Sequence, residues 1–492
     1  MTIKEKLVEP DELGSQLKSL LDMESFRLGL ISAIDTNSLI TLILNLADGT
    51  SEIWHSPLNH ELCYPSVSVK IPQAHWFERR LQDMFGITAK GHPRMKSTFA
   101  PGEEQFQFPL LARDNQSASS QRNTDFLEVE GDGVYELPVG PVHAGIIEPG
   151  HFRLSCMGEE IQNLELRFGY VHRGVEESLT TVDWQKTRFL AEASAGDSPV
   201  ANALANAIAL ESILEIEIDK EINAVRTFAL EIERLAMHIF DLSGMSYDLG
   251  FTAHAATLAR LRGTGLRIGE LLSGSRFMRG FIRAGGISSN EKFNFKLIKS
   301  LVNEFQSELM PVLDTLLRND SVEERLKGTG IVSRQLAEDF GFVGIVARAS
   351  GIAYDSRFTF DHGMYPILAP QIALQKEGDA FARTKVRIRE IHSSFQIVDK
   401  LLETISSYPI ASDNLPRNLP ANKTGVAIVE SFRGELIHLI FTNSSGEIKR
   451  YIIKDPSMNN WTGMAIAARK ECIADFPICN KSFGLSYSGH DL

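Results

Sequence analysis

Two short stretches carry side chains suited to moving protons. In His172-Arg173-Gly174-Val175-Glu176 an arginine and a carboxylate stand within one turn of each other. Burial raises a carboxyl pKa and a neighbouring cation lowers it, so such a carboxylate can be poised to exchange protons. The same spacing serves equally well for a structural Arg173–Glu176 ion pair. Gly140-Pro141-Val142-His143 places a histidine on a loop, where imidazole titrates near neutral pH or merely caps a turn. The four cysteines, Cys63, Cys156, Cys472 and Cys479, form no C-x-x-C pair. A thiolate-bound metal needs several sulfurs converging on one point, so these read as free thiols in a reducing compartment. No Walker-type loop and no G-x-G-x-x-G after a strand is present, so direct nicotinamide binding has no support. The acidic run Glu211, Glu215, Glu217, Asp219, Glu221 reads as a solvated helix end and turn.

The elements that must position these groups follow from periodicity. Ser38–Leu46 is β-rich, Ala47-Asp48-Gly49-Thr50 is a turn, and a strand follows near Ile53 and Trp54. Trp76, Phe77, Leu81, Met84 and Phe85 lie at helical spacing, with Gly86 as the stop. Residues 112–124 carry almost nothing apolar and read as a linker, so the expected division is 1–111, linker 112–124, and 125–492. Phe152–Ser155 and Ile161–Leu166 flank a turn at 157–160. A long helical region runs from Pro199 to Ser243 with a break near 217–219. Ala224, Phe228, Ile232, Leu235 and Ile239 make one apolar face. Helices fit 253–273 and 293–317, with a glycine-rich loop at 279–286 between them. Gly425–Ser431, Glu435–Phe441 and Ile448–Ile453 form an antiparallel meander.

With 492 residues, 43% hydrophobic and 23% charged, the chain can bury a sizeable core. A net charge of −13 argues against nucleic acid or anionic lipid as a direct partner. No run approaches the roughly 20 apolar residues of a membrane span, and the N-terminus has no signal-peptide core. Any membrane role must come through partners.

Trp76-Phe77-Glu78-Arg79-Arg80-Leu81-Gln82-Asp83-Met84-Phe85-Gly86-Ile87 with Gly91-His92-Pro93-Arg94 resembles the signature of the 30-kilodalton-type subunit of respiratory complex I. The order of Gly140–His143, His172–Glu176 and Ala193–Asn202 resembles the large subunit of nickel–iron hydrogenases and its relative, the large quinone-site subunit of complex I. Gly328-Thr329-Gly330, Val346–Arg357 and Gly378–Arg383 match the same pattern. The chain looks like a fusion of the two subunits, as in the hydrogenase-4 and formate hydrogenlyase group. The implied fold class is α+β: a small N-terminal α+β domain, then a mainly α-helical domain with peripheral antiparallel β-strands.

The resemblance also implies what is missing. Where the hydrogenase pattern has two cysteines and a histidine, this chain has Ala195, Ser198 and Asn202. At the second cysteine pair, near the C-terminus, stand Ser486 and Gly489. Serine stays protonated and lacks polarisable sulfur, so no nickel–iron centre is expected, and no cofactor bound by the chain itself. The tyrosine of the quinone site, due near Leu190, is also missing. If roles carry over, Glu176 is the proton relay, and Glu176, Arg173, Arg348 and His143 line a site for a quinone or another acceptor. Arg348 would point into the central cavity, and Asp355 with Arg357 would form a buried pair. Implied partners are a small iron–sulfur subunit and antiporter-like membrane subunits, at the cytoplasmic face. The alternative is a coupling subunit without redox chemistry. An active hydrogenase is set aside because thiolates define that reaction.

Overall fold

The fold is seen in a computed structural model that describes residues 3–98, 110, 125–145, 147–288, 294–360, 362–405 and 415–492. The expected linker, 112–124, lies outside the described residues. The N-terminal module is a four-stranded sheet carrying two helices. Strands Phe26–Asp35, Ser38–Asn45 and Ser51–Pro57 run antiparallel in sequence order, and Ile3–Leu7 adds in parallel to the outer one. Helix His75–Phe85 ends at Gly86, whose φ of 70° suits glycine. It buries Trp76, Phe77, Leu81, Met84 and Phe85, the face read from the sequence.

The larger module is built around helices. Pro199 opens helix Pro199–Leu214, which is buried on almost every side because its residues are nearly all small or apolar. Lys220–Asp248 and Thr252–Ser273 pack as an antiparallel pair, and Ala380–Thr404 lies against the first of them. Asp379 caps Ala380–Thr404 by accepting the Ala382 N–H at 2.7 Å. Strands Thr424–Ser431, Gly434–Thr442 and Ile448–Lys454 form the expected meander. It is interior rather than peripheral. All nine residues of Gly434–Thr442 are buried, with Pro199–Leu214 packed against this sheet. The apolar run in Leu436-Ile437-His438-Leu439-Ile440-Phe441 feeds both faces, as expected of a strand covered on both sides.

The two modules share a core. Leu39, Trp76 and Phe85 belong to the same buried apolar cluster as Phe168, Ile428 and Trp461. The acidic run divides differently from its sequence reading. Glu215, Glu217, Asp219 and Glu221 are exposed, but Glu211 is buried and pairs with Arg226 at 2.6 Å. Together they hold the glycine-rich loop: Glu211 accepts the Gly285 N–H, and Arg226 donates to the Gly286 carbonyl.

Candidate functional site

The loop that joins helix Thr187–Glu192 to helix Pro199–Leu214 carries Ala195, Asp197 and Ser198. Ala195 and Ser198 are buried. Asn202, one turn into the helix, donates from Nδ2 to the Ser198 carbonyl at 2.8 Å, and its Oδ1 meets His438 Nε2 at 3.1 Å. His438 Nδ1 lies 2.8 Å from the Tyr451 hydroxyl, and burial pushes the imidazole down to about 3, so this histidine is neutral.

Asp197 points at Arg433, in the turn between the first two strands of the meander. The guanidinium grips it with two hydrogen bonds, at 2.7 and 2.5 Å. Arg433 Nε also donates to the Gly484 carbonyl, at the start of the C-terminal loop. Burial alone would raise the Asp197 carboxyl, but the Arg433 charge pulls it below its ordinary value. Burial also disfavours the Arg433 charge, and Asp197, Asp455 and Asp241 more than restore it. Thus a guanidinium ties the loop before Pro199 to the C-terminal loop that begins at Gly484.

The C-terminal loop is closed by its own hydrogen bonds. Ser486 N–H donates to Ser457 Oγ at 2.9 Å, and Gly489 N–H to Ser486 Oγ at 3.0 Å. A Cβ on Gly489 would lie 2.5 Å from the Asp455 carboxyl carbon, so this position cannot hold a cysteine without displacing Asp455. Ala195, Ser198, Ser486 and Gly489 offer no thiolate, and a nickel–iron group does not fit them. The buried Cys479 lies elsewhere, against Gly330 and Arg383, and burial pushes its thiol up to about 12.

Arg173 is exposed and donates to the Ser194 carbonyl at 3.1 Å, on the first loop. Glu176 is buried and pairs with Arg80 at 2.9 Å, not with Arg173; it also accepts the Ile453 N–H. Arg80 comes from the N-terminal module's signature helix and donates to the Leu492 carbonyl. Asp491 holds the 169–172 stretch, accepting the Gly169 N–H at 2.8 Å and meeting His172 Nδ1 through its carbonyl. His143 is half-buried, 3.3 Å from the Tyr487 hydroxyl. Arg173 therefore meets the first loop and His143 the C-terminal loop, whereas Glu176 is tied to the C-terminal stretch only through Arg80.

Arg348 makes its ion pairs elsewhere. It is fully buried in ion pairs with Glu390 at 2.7 Å and Glu430 at 2.8 Å. The network continues through Arg234 to Glu390 at 2.6 Å and through Arg357 to Asp355 at 2.7 Å, the buried pair expected from the sequence. Burial would raise Asp355, but Arg357 and Arg348 hold it at about 2. A further buried group, Glu435 with Lys454, Tyr354 and Arg27, sits on the strand register opposite Glu430 and reaches into the N-terminal module. Glu231, Arg234 and His238 recur at helical spacing on Lys220–Asp248, the one signal that could have revealed this second buried face. Arg433 was missed because Arg433-Gly434 reads only as a turn.

The fold defines a class by its architecture: a mainly helical module with an internal antiparallel sheet, joined to a small α+β module. The family model described as the respiratory-chain NADH dehydrogenase 30 Kd subunit matches residues 7–119, and that of the 49 Kd subunit matches 248–426. Formate hydrogenlyase subunit 5 of Escherichia coli is 28% identical over 438 residues, 87% of this chain and 77% of the relative. Hydrogenase-4 component G of the same organism is 26% identical, covering 87% and 76%. The C/D subunit of NADH-quinone oxidoreductase from Phocaeicola vulgatus is 28% identical, covering 79% of each. A chain from the membrane-bound sulfane sulfur reductase, an archaeal respiratory membrane complex, shares the fold with TM-score 0.69 at 24% identity, over 73% of this chain and 99% of that one. The chain thus carries a 30 Kd-type and a 49 Kd-type domain in one fused architecture and is homologous to formate hydrogenlyase subunit 5 and hydrogenase-4 component G. These homologues are arm subunits of membrane-bound complex I-like hydrogenase or NADH-quinone oxidoreductase complexes. Among the described residues no helix is long and apolar enough to cross a membrane.

Proposed function

We propose that this chain is the large arm subunit of a membrane-associated complex I-like oxidoreductase, on the cytoplasmic side, working without a nickel–iron centre. Electrons arrive from an iron–sulfur cluster in a small partner subunit and pass to a quinone or another acceptor at the two loops. Antiporter-like membrane subunits couple the reaction to ion movement. The observation that carries this reading is Arg173 against the first loop and His143 against the second, with Glu176 linked to the C-terminal stretch through Arg80, around loops whose expected thiolate positions hold alanine, serine and glycine. Glu176 would supply or accept a proton, His143 would hydrogen-bond the acceptor, and Arg173 would orient it. The test is quinone-analogue reduction by the assembled complex. Glu176→Gln and His143→Phe should each slow turnover while the complex still assembles. Normal turnover in the double variant rejects the site.

One observation favours a second reading, a coupling subunit without redox chemistry. The Arg348 network and the adjoining Glu435 group make a buried polar path between the helical module and Arg27. On that reading the complex reduces no acceptor through this chain, yet Arg348→Met uncouples ion movement.

A further inference from the structure

Behind the first loop lies a small cavity between helices Pro199–Leu214, Lys220–Asp248 and Thr252–Ser273. Pro199, Met237, Leu266 and Phe277 form apolar walls, Glu233 stands among them, and the exposed Arg276 lies at the rim. Its size suits water rather than an organic substrate. The Glu233 side chain is buried, and its two carboxylate oxygens accept the Val200 and Ala201 N–H groups at 2.7 and 3.0 Å. It therefore sits directly beneath the first turn that follows Ser198. Across the same loop, Glu192 is buried and accepts the Gly280 N–H at 2.8 Å.

We propose that Glu233 is a proton-exchange site of this subunit, loaded from solvent through the cavity at Arg276 and facing the loop at 195–198. Loading breaks an O–H bond of a protonated water in the cavity and forms one on a Glu233 carboxylate oxygen, cancelling the negative charge. Unloading reverses both steps, and no oxidant or reductant is involved. The charges around it fit this role. Burial raises the Glu233 carboxyl most; the two N–H donors oppose this; the negative charges of Asp197 and Glu192 raise it again, to about 8. Burial likewise lifts Glu192 to about 7, against the Gly280 N–H and the cations Arg188 and Arg279. A carboxyl that is neutral at physiological pH can donate a proton where an ordinary glutamate cannot. The inference goes beyond the electron-transfer reading and stands without it, because proton exchange is measured on the full chain alone.

The experiment is infrared spectroscopy of the full chain through a pH titration, in H2O and in D2O. At neutral pH the wild-type minus Glu233→Gln difference should contain the carbonyl band of a protonated carboxylic acid, fading with a midpoint of about 8. Glu192→Gln should remove a separate band with a midpoint of about 7 and leave the first in place. Ala236→Leu, which narrows the cavity, should keep the Glu233 band and slow its deuterium shift. Should Glu233→Gln fail to fold, the pH-dependent band in the Glu192→Gln chain reports the same carboxyl. Absence of any neutral-pH carboxylic-acid band attributable to Glu233, or an unchanged deuterium shift in the narrowed cavity, overturns the proposal.

Discussion

Replacing Arg433 by leucine removes the cation that joins the two loops. Asp197 then loses two charge-assisted hydrogen bonds, the Gly484 carbonyl loses one donor, and Asp455 loses the Arg433 charge that compensates it. Breaking a buried ion pair from one side costs about 3–5 kcal/mol, because the remaining charge stays uncompensated. Asp197 keeps 28% of its side-chain exposure, which lets water take up part of the loss and puts the expected cost near the lower bound, about 3 kcal/mol. Asp197→Asn should cost less, about 1–2 kcal/mol, since Arg433 still faces Asp455 and Asp241. The double variant should recover part of the sum, with a coupling of about 1–3 kcal/mol. The pH dependence has a definite sign. The folded Asp197 carboxyl lies below its unfolded value, so its contribution is complete above the unfolded pKa and is lost as pH falls through the folded one. The Arg433→Leu deficit should therefore be constant at neutral pH and shrink in acid. Urea unfolding of the full chain, followed by circular dichroism at several pH values, measures all four corners of the cycle. A cost below about 0.5 kcal/mol for Arg433→Leu, or strict additivity in the double variant, would falsify the idea that this guanidinium clamps the loops.

Other perturbations probe the same core. Arg80→Met removes the cation paired with buried Glu176, leaving it the Ile453 N–H and the more distant charge of Arg450, and should cost about 3 kcal/mol in urea midpoint analysis while loosening the N-terminal module by proteolysis. Arg348→Met should cost about 3–5 kcal/mol, whereas Lys18→Ala, which breaks an exposed pair with Asp22, should stay within about 0.5 kcal/mol. His438 is held down at about 3 while its unfolded value is 6.5, so the unfolded chain takes the proton first. Stability should fall as pH drops from 6.5 towards 3, at up to about 1.4 kcal/mol per unit, and His438→Gln should flatten that slope. Gly489→Ala should destabilise by about 1–3 kcal/mol, since the new Cβ meets Asp455.

Periodicity made much of the fold legible. Helix His75–Phe85, the break between Leu214 and Lys220, and the strands near the C-terminus all stand where apolar spacing and turn residues put them. What periodicity hid was buried charge. Glu211, Glu231 and Arg234 look like surface residues in one dimension, because a charged side chain says nothing of a partner far along the chain. Glu231 and Glu390 need Arg357, Arg234 and Arg348 to make their burial tolerable, and those pairings exist only once the helices cross. The same limit applied at the site. The absence of cysteine could be read directly, but the Asp197–Arg433 clamp spans a long stretch of chain and left no local mark. Glu176 showed the opposite error: its neighbour in sequence, Arg173, is not its partner, and Arg80 from the other module is.

The contact between the two modules has a consequence in time. Trp76 stacks edge-on against His490 at 5.0 Å, and Arg80 reaches the Leu492 carbonyl, so early residues complete their packing with very late ones. A ribosome adding ~5–20 residues per second makes the last of these roughly 20–80 s after the first. Throughout that interval the face bearing Trp76 and Arg80 lacks its final cover, and the long loop closure argues for slow late docking. A nascent chain in this state offers a sticky aromatic surface to anything nearby. Expression without a chaperone, or at high synthesis rates, should favour aggregates over folded subunit, whereas slower translation should raise the soluble yield.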